Sequence, residues 1–344
     1  MPWHVSTNMG VTKDMPWHVS NMGATVTEKK ESIATRVAYG KALLELGKEN
    51  PNIVVLDADL SGSTQTKFFA KEFPERFFNM GIAEQNMIGV AAGLSSTGKI
   101  PFASSFAMFA CGRAWEFVRN SVCHNMFNVK ICATHAGLTV GEDGGSHQII
   151  EDLAIMRAIP HMTVIVPADA TEAKLATRAI ASFFGPVYMR LGRSNVPVLF
   201  DEKKFEFKIG KAQIIKSGID VSVFACGVMV SRALWTAEIL QNEGISTEII
   251  NVSTIKPLDK ETILASVQKT GCAVTCEEHN IHGGLGDAIA SVLTENHPIP
   301  MKKTGVMDQF GQSGKSDELL VHYGLTKEKI AEAAREVIKR KLIN

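Results

Sequence analysis

Apolar residues follow two different periods that alternate along most of the chain. Residues 30–48 place apolar side chains at helical spacing, whereas residues 52–57 form a continuous apolar run closed by an acid, which is typical of a buried parallel strand. The same reasoning predicts strands 100–105, 129–134, 162–167 and 186–190, and helices 83–97, 109–125, 149–158 and 170–184. Strands that alternate with helices favour βαβ units and a mostly parallel sheet.

A break in this pattern divides the chain into two parts. Pro197, Asp201, Lys203 and Lys204 interrupt the pattern, and we interpret residues 196–209 as a linker with a domain boundary near residue 205. A second block then predicts strands 220–226, 247–252 and 272–277, and helices 229–244, 259–269, 284–296 and 326–341. The sequence therefore predicts an α/β fold of two doubly wound, mostly parallel-sheet domains, over residues 29–195 and 210–344.

The first residues differ from the rest because they contain a local duplication. Met1–Ser6 recurs as Met15–Ser20, and little apolar periodicity accompanies the repeat. A duplication this short is not a repeat architecture, which needs several units of 20–50 residues. We expect residues 1–28 to form a flexible tail.

Composition narrows the class of protein. The chain has 36 basic and 36 acidic residues, which excludes the basic surface of a nucleic-acid-binding protein or a membrane-surface patch. The sequence lacks an apolar run long enough to span a membrane, and its start does not resemble a signal peptide. The six cysteines lie mostly in apolar runs and lack metal-ligand spacing. We expect a cytoplasmic protein without a metal site on this chain.

Polar residues follow the predicted strands closely, where parallel sheets bind their ligands. The residues at these strand ends are Asp59, Ser63, Glu84, His135, Asp143, His147 and Arg193. Glu84 opens an apolar helix, and an acid in a first turn is often present only because the helix dipole favours it. Here the nearby Phe106 and Phe109 offer an aromatic wall beside the carboxyl group, which favours a functional site.

Five motifs in the same order resemble the transketolase family. They are Gly81-Ile-Ala-Glu84-Gln-Asn, Phe106-Ala-Met-Phe109, Gly141-Glu-Asp143-Gly-Gly-Ser-His147, Val166-Pro-Ala-Asp169 and Glu278-His279-Asn-Ile-His-Gly-Gly-Leu-Gly. The resemblance covers about residues 30–340. It implies that the first domain is a thiamine-diphosphate pyrimidine-binding domain and that the second is the family's C-terminal domain. The expected activity is transfer of a two-carbon ketol unit between phosphorylated sugars.

The resemblance also implies roles for individual residues. Glu84 corresponds to the glutamate that contacts the cofactor's aminopyrimidine ring, with Phe106, Phe109 and Asp59 as further cofactor-binding residues. Together with Glu84, the expected catalytic residues are His135 and His147. The residues expected to bind the sugar phosphate are Arg36, Ser63, His135, Asp143, His147 and Arg193. Arginine suits this role because its fork of N–H groups matches phosphate.

One part of the family's cofactor site is missing from the sequence. Family members hold the diphosphate through a divalent cation bound by a Gly-Asp-Gly motif, and the sequence has none. The resemblance therefore implies a separate N-terminal subunit that carries the diphosphate and Mg²⁺ or another divalent cation. We expect a two-plus-two heterotetramer that shares thiamine diphosphate between its chains.

Other interpretations stay open at this point. A β subunit of a 2-oxoacid dehydrogenase has the same layout and a catalytic glutamate, and an enzyme like deoxyxylulose-phosphate synthase is a further variant. A non-catalytic paralogue that scaffolds a partner belongs to a different class. The sequence also departs from the family's pattern at Ala83, Gln85 and Gly112, which suggests an altered pyrimidine pocket or a different preferred sugar.

Overall fold

The computed structural model describes residues 31–343, and the predicted tail over residues 1–28 lies outside them. The strands are β1 (Ser32–Ile33), β2 (Ile53–Asp57), β3 (Phe77–Asn79), β4 (Ile100–Ser104), β5 (Lys130–Ala133), β6 (Thr163–Ile165), β7 (Val187–Arg190), β8 (Val196–Pro197), β9 (Gln213–Lys216), β10 (Val221–Ala225), β11 (Thr247–Asn251), β12 (Thr254–Lys256), β13 (Ala273–Asn280) and β14 (Met301–Val306). The helices are α1 (Thr35–Glu49), α2 (Ser61–Thr64), α3 (Lys67–Glu72), α4 (Glu84–Ser96), α5 (Trp115–Phe117), α6 (Asp152–Arg157), α7 (Ala170–Ser182), α8 (Met229–Gln241), α9 (Lys260–Thr270), α10 (Leu285–Asn296), α11 (Ser316–His322) and α12 (Lys327–Ile343).

A seven-stranded sheet organises the first half of the chain. Its strand order is β12-β6-β7-β5-β4-β2-β3, and every pair is parallel except β12 with β6. Every residue of β2, β5 and β7 is buried, as expected for parallel strands covered by helices on both faces. Because the five strands from β7 to β3 run in the same direction, their carboxyl ends meet along one edge.

A five-stranded sheet organises the second half, with the order β14-β13-β10-β11-β9. The pairs are parallel except β11 with β9. Both halves therefore have the layered architecture in which helices cover a mostly parallel sheet. The predicted fold class, an α/β chain with two doubly wound domains, is confirmed.

Two strand pairs join parts of the chain that are far apart in sequence. β12 follows the β11 strand of the second sheet but pairs with β6 of the first. β1 pairs with β8, at the start of the predicted linker 196–209. One hydrophobic core also contains buried residues of both halves, among them Tyr188 and Phe224. The extent of each domain, and the boundary near residue 205, stay predictions.

The segment predicted as one α-helix over residues 109–125 has a different geometry. It consists of π-helical turns at Met108–Arg113 and Val118–Cys123 on either side of the short helix α5. Periodicity cannot separate these geometries, and wide turns of this kind are frequent at functional sites. Within residues 31–343, the helices are too short or too polar to cross a membrane.

Candidate functional site

Predicted site residues lie at the carboxyl ends of five neighbouring strands. Arg193 follows β7, His135 follows β5, and Phe106 and Phe109 follow β4. Beyond them, Asp59 and Ser63 follow β2, while Glu84 follows β3. The chain leaves every one of these strands at the same edge, and the sheet order places the strands side by side. This edge is where an open parallel sheet binds its ligands.

Glu84 begins helix α4, and its side chain is 1% exposed. Its carboxylate is balanced by Arg113, whose Nη1 donates to Glu84 Oε2 at 2.9 Å. The Arg113 guanidinium in turn lies 4.9 Å from the centre of the Phe109 ring. The sequence predicted the aromatic wall but missed Arg113, which lies in the π-helical segment and has no recognisable motif of its own.

Phenylalanine and histidine rings form a stacked cluster beside this carboxylate. Phe106 stacks on His135 with ring centres 3.8 Å apart, and the rings of Phe106 and Phe109 are 6.1 Å apart. His147 presents its edge to Phe109 at 5.4 Å. The Phe106–Phe109 and Phe109–His147 pairs lie within the range of centre-to-centre distances that aromatic rings prefer. The structure therefore brings together the four rings that the sequence had assigned to cofactor and substrate.

His135 is held in an unusual state for a histidine. Its backbone has a φ of 58°, a left-handed conformation that non-glycine residues adopt infrequently. Its side chain is buried, and its Nδ1 shares a hydrogen bond with Thr134 Oγ1 at 2.8 Å. Burial, together with the nearby positive charges of Arg36 and Arg193, lowers the pKa of His135 to about 3. The ring is therefore neutral at physiological pH.

Two arginines lie next to His135. The Nε of Arg36 donates to the backbone carbonyl of Arg193 at 3.2 Å, and its Nη1 donates to the carbonyl of Ser63 at 2.6 Å. Burial lowers the pKa of Arg36, and the positive charge of Arg193 adds to this effect. Two cations held this close, and partly withdrawn from water, form a site suited to an anion. Ser63 contacts Arg36 through its backbone carbonyl.

Asp143 lies close to the guanidinium of Arg193. The guanidinium of Arg193 contacts the carboxylates of Glu142 at 3.2 Å and Asp143 at 3.8 Å, and it donates to the carbonyl of Val140. These acids are exposed. The acids of the loop that carries Asp143 therefore interact electrostatically with Arg193.

Asp59 lies at the rim of the site, near β3. Its backbone has a φ of 62°, and its carboxylate accepts a hydrogen bond from Asn79 Nδ2 at 2.9 Å. The carbonyl of the same Asn79 side chain accepts from the backbone N–H groups of Asp59 and Gly81. Asn79 thus ties the end of β2 to the turn before Glu84, a role that the sequence did not reveal.

Buried Asp57 supports the loop that carries Asp59 and Ser63. Its carboxylate accepts hydrogen bonds from Leu60 N at 2.6 Å and from the hydroxyls of Thr64 and Thr66 at 2.7 and 2.9 Å. Burial raises the pKa of Asp57, while these hydrogen bonds favour its charged form. Asp57 therefore acts as an internal anchor for the loop.

The three departures from the family's pattern lie around Glu84 and the π-helical segment. Ala83 precedes helix α4 without a side-chain cap, and Gln85 is exposed. Gly112 is also exposed, and a Cβ at this position would make ordinary contacts with Met108 and Ile149. A small side chain therefore fits there without displacing its neighbours.

Comparison with known proteins agrees with this geometry. The family model described as the transketolase pyrimidine binding domain matches residues 31–198, and the transketolase C-terminal domain matches residues 210–330. A putative transketolase C-terminal section of Methanocaldococcus jannaschii is 55% identical over 89% of this chain and 96% of its own length. A 6-deoxy-6-sulfo-D-fructose transketolase subunit of a Clostridium species is 44% identical over 91% of this chain and 97% of its own length.

Larger relatives and solved structures give the same assignment. Human transketolase is 36% identical over 90% of this chain, which spans 50% of that protein's length. A solved structure described as a split gene transketolase, inactive beta4 tetramer, has a TM-score of 0.85 and 54% identity, and the match covers 90% of this chain and 99% of that one. The family predicted from the motifs is confirmed. This chain belongs to the transketolase family and corresponds to its C-terminal section, a pyrimidine-binding domain followed by a C-terminal domain.

Proposed function

We propose that this chain is the C-terminal subunit of a two-chain transketolase, which transfers a two-carbon ketol unit from a phosphorylated ketose to a phosphorylated aldose. One observation carries the proposal: a buried carboxylate, a cluster of aromatic and imidazole rings and a pair of arginines lie along a single sheet edge. Its relative in the solved tetramer is described as a split gene transketolase. The six cysteines are buried and unpaired, which supports a reducing, cytoplasmic location.

The residues present fit the pyrimidine end of thiamine diphosphate. Glu84 offers a buried carboxylate for a ring nitrogen, and Phe106 and Phe109 offer apolar ring faces, with Asp59 at the rim. When bound, the cofactor supplies the stabilisation of negative charge on the transferred two-carbon unit. The sequence lacks a Gly-Asp-Gly motif. We therefore assign the diphosphate and Mg²⁺ or another divalent cation to an N-terminal partner subunit, in a two-plus-two assembly.

Glu84 holds a proton at the pyrimidine ring nitrogen in this proposal. Its burial excludes water from the carboxyl group, and the contact with Arg113 fixes one of its oxygens. A fixed and desolvated acid needs little reorganisation when the proton moves. Arg113 is therefore a positioning residue, since it acts through Glu84.

His135, His147 and Asp143 hold the hydroxyl groups of the sugar. Neutral imidazole can donate with one nitrogen and accept with the other, so His135 suits a hydroxyl or a carbonyl better than a charged ring would. Thr134 already binds Nδ1 of His135, and we expect Nε2 to contact the substrate. His147 and Asp143 lie on the adjacent loop and complete this polar wall.

Arg36 and Arg193 bind the phosphate group of the sugar. The carbonyl of Ser63 orients Arg36, and the carbonyl of Arg193 binds its Nε. This arginine pair supports a sugar-phosphate enzyme over a 2-oxoacid dehydrogenase subunit, whose substrates lack a phosphate for it to bind. The assembly of Glu84, the ring cluster and both arginines at one edge likewise supports an enzyme over a non-catalytic scaffold.

A reconstitution experiment tests the subunit proposal. The purified chain alone should show no ketol transfer with thiamine diphosphate and a divalent cation, because the diphosphate site is incomplete. Addition of the N-terminal subunit should restore transfer and give a larger particle by analytical ultracentrifugation. Robust transfer by the chain alone would contradict the proposal.

A second experiment tests the role of Glu84. In the two-chain assembly, Glu84→Gln keeps the shape of the side chain but removes the acid, and turnover should fall roughly 100-fold or more. The matched control is Glu116→Gln, because Glu116 is an exposed acid in the nearby short helix α5, and this variant should retain wild-type turnover. Near-normal turnover in Glu84→Gln would remove this residue from the mechanism.

A third experiment tests the phosphate site and the identity of the sugar. Arg193→Ala should raise KM for phosphorylated donors by roughly tenfold, since a charge-assisted contact is lost, but leave KM for an unphosphorylated donor unchanged. Equal effects on both donors would argue against phosphate recognition. Two relatives are described as sulfofructose and apulose-4-phosphate transketolase subunits. A panel of donors and acceptors in this assay would therefore define the preferred sugars.

A further inference from the structure

The loop that carries the predicted sugar ligands is held by the other half of the chain. His135, Asp143 and His147 lie on either side of a short 3₁₀ turn, Leu138–Val140. Thr139, at the centre of this turn, donates its N–H to Glu278 Oε1 at 2.5 Å. Its carbonyl accepts hydrogen bonds from Ser316 Oγ at 2.9 Å and Ser194 Oγ at 2.8 Å. Both backbone groups of Thr139 are thus hydrogen-bonded to side chains, and Glu278 and Ser316 belong to the second half.

Glu278 is buried and closely packed in this position. It lies near the end of β13, and its side chain is 5% exposed. Gly137 packs directly against its carboxyl group, and a Cβ at this position would overlap that group. The φ of +80° at Gly137 also favours glycine. Burial raises the pKa of Glu278, but the positive charge of Arg190 and the hydrogen bond from Thr139 favour its charged form. A buried carboxylate with this support makes a strong acceptor.

Further contacts with the second half hold the loop near His147. The side chain of buried Gln148 donates from Nε2 to the carbonyl of Gly141 at 2.9 Å and to the carbonyl of Gln312 at 2.9 Å. Gln312 lies between β14 and α11 of the second half. A Cβ at Gly145 would also overlap the carbonyl of Gly311. The loop is therefore fixed by the second half on both sides of Asp143.

We propose that Glu278 is a positioning residue for sugar binding and that, with Ser316, it clamps the loop of Asp143 and His147 in its binding conformation. This gives the C-terminal domain a direct part in substrate affinity, although it supplies none of the predicted catalytic residues. The inference rests on the proposed function. Because the clamp acts on ligands of the sugar and not on Glu84, its loss should raise KM for the sugar more than it lowers kcat.

The test uses the two-chain assembly. Glu278→Ala should raise KM for phosphorylated donors by about tenfold, the loss expected for one hydrogen bond to a charged group. It should lower kcat by a smaller factor than it raises KM, and it should leave the affinity for thiamine diphosphate close to wild type. Glu278→Gln keeps an acceptor oxygen and should restore most of the affinity. Hydrogen exchange over residues 137–148 should be faster in Glu278→Ala and close to wild type in Glu278→Gln.

Glu277→Gln is the matched control. Glu277 is the adjacent residue on β13 and is also buried, but its carboxylate accepts from Leu285 N and Gly286 N at the start of α10. This variant tests general damage to the domain, and it should lower stability without a selective rise in KM. A KM for Glu278→Ala equal to wild type, or a matching rise in Glu277→Gln, would overturn the clamp.

Ser316→Ala decides the question if Glu278→Ala fails to assemble. Ser316 is only partly buried, and its loss removes a hydrogen bond to the carbonyl of Thr139 without opening the core. A smaller rise in KM, with faster exchange over residues 137–148, supports the clamp, and an unchanged KM overturns it. Absence of ketol transfer by the wild-type assembly is a separate result, since it overturns the proposed function whatever the exchange data show.

Discussion

The neutral state of His135 predicts a specific dependence of stability on pH. Burial and the nearby positive charges lower the pKa of this residue to about 3, against the usual histidine value of 6.5. Between these values the unfolded chain binds a proton that the folded chain does not, so the free energy of unfolding falls as the pH decreases through this window. Well below pH 6.5 each pH unit costs about 1.4 kcal/mol, and from pH 7.5 to pH 5 the total loss is about 2 kcal/mol.

His135→Asn isolates this effect. Asparagine tolerates the left-handed backbone at this position, where φ is 58°, and it does not titrate. The variant should be less stable than wild type at neutral pH because its ring no longer stacks on Phe106. Its stability should nevertheless fall by about 2 kcal/mol less than that of wild type between pH 7.5 and pH 5.

Urea unfolding of both proteins at a series of pH values measures this difference, and titration of the imidazole by nuclear magnetic resonance gives the pKa directly. His161→Asn is a useful control, since His161 is an exposed histidine that also has a positive φ. Parallel pH profiles for wild type and His135→Asn, or an imidazole that titrates near 6.5, would refute the reasoning.

Three further substitutions test contacts that support the site and the fold, each measured by urea unfolding. Arg113→Ala should cost about 1 kcal/mol, because it leaves the buried carboxylate of Glu84 without its cation, and a double-mutant cycle with Glu84→Gln should show the coupling. Lys130→Met should cost roughly 3 kcal/mol, since the buried amino group donates to three oxygen acceptors at 2.6 to 2.7 Å. Asp169→Ala should cost roughly 3 kcal/mol, because its carboxylate caps α7 and binds two backbone N–H groups at residues 199 and 200, whereas Asp169→Asn should cost less. A change below about 0.5 kcal/mol in any of them would contradict the role given to that contact.

Most of the fold was predicted from the long segments in which apolar residues recur regularly or without a break. The buried runs of β2, β5 and β10 were recognisable because both faces of these strands are covered, and the α/β alternation followed from them. Short elements were not predicted: β12 has three residues and α2 has four, too few for a period to be detected. The π-helical turns were interpreted as one α-helix because both geometries bury a similar set of residues.

The candidate site was predictable where its chemistry lay in motifs. Glu84, Phe109 and His135 follow strands, and the sheet order alone places them at one edge. Arg113 and Glu278 were missed as partners because each acts across a long sequence separation, on Glu84 and on Thr139. Pairings of that kind depend on how the helices and the two sheets pack, which a single sequence does not specify.

Strand β12 has a consequence for how this protein can be divided. It covers one edge of β6, so a fragment that ends near residue 198 would expose the unpaired N–H and C=O groups of that strand. Exposed strand edges recruit other chains. The pyrimidine-binding fragment expressed alone should therefore aggregate. A chimaera between relatives should for the same reason exchange both halves of the chain together.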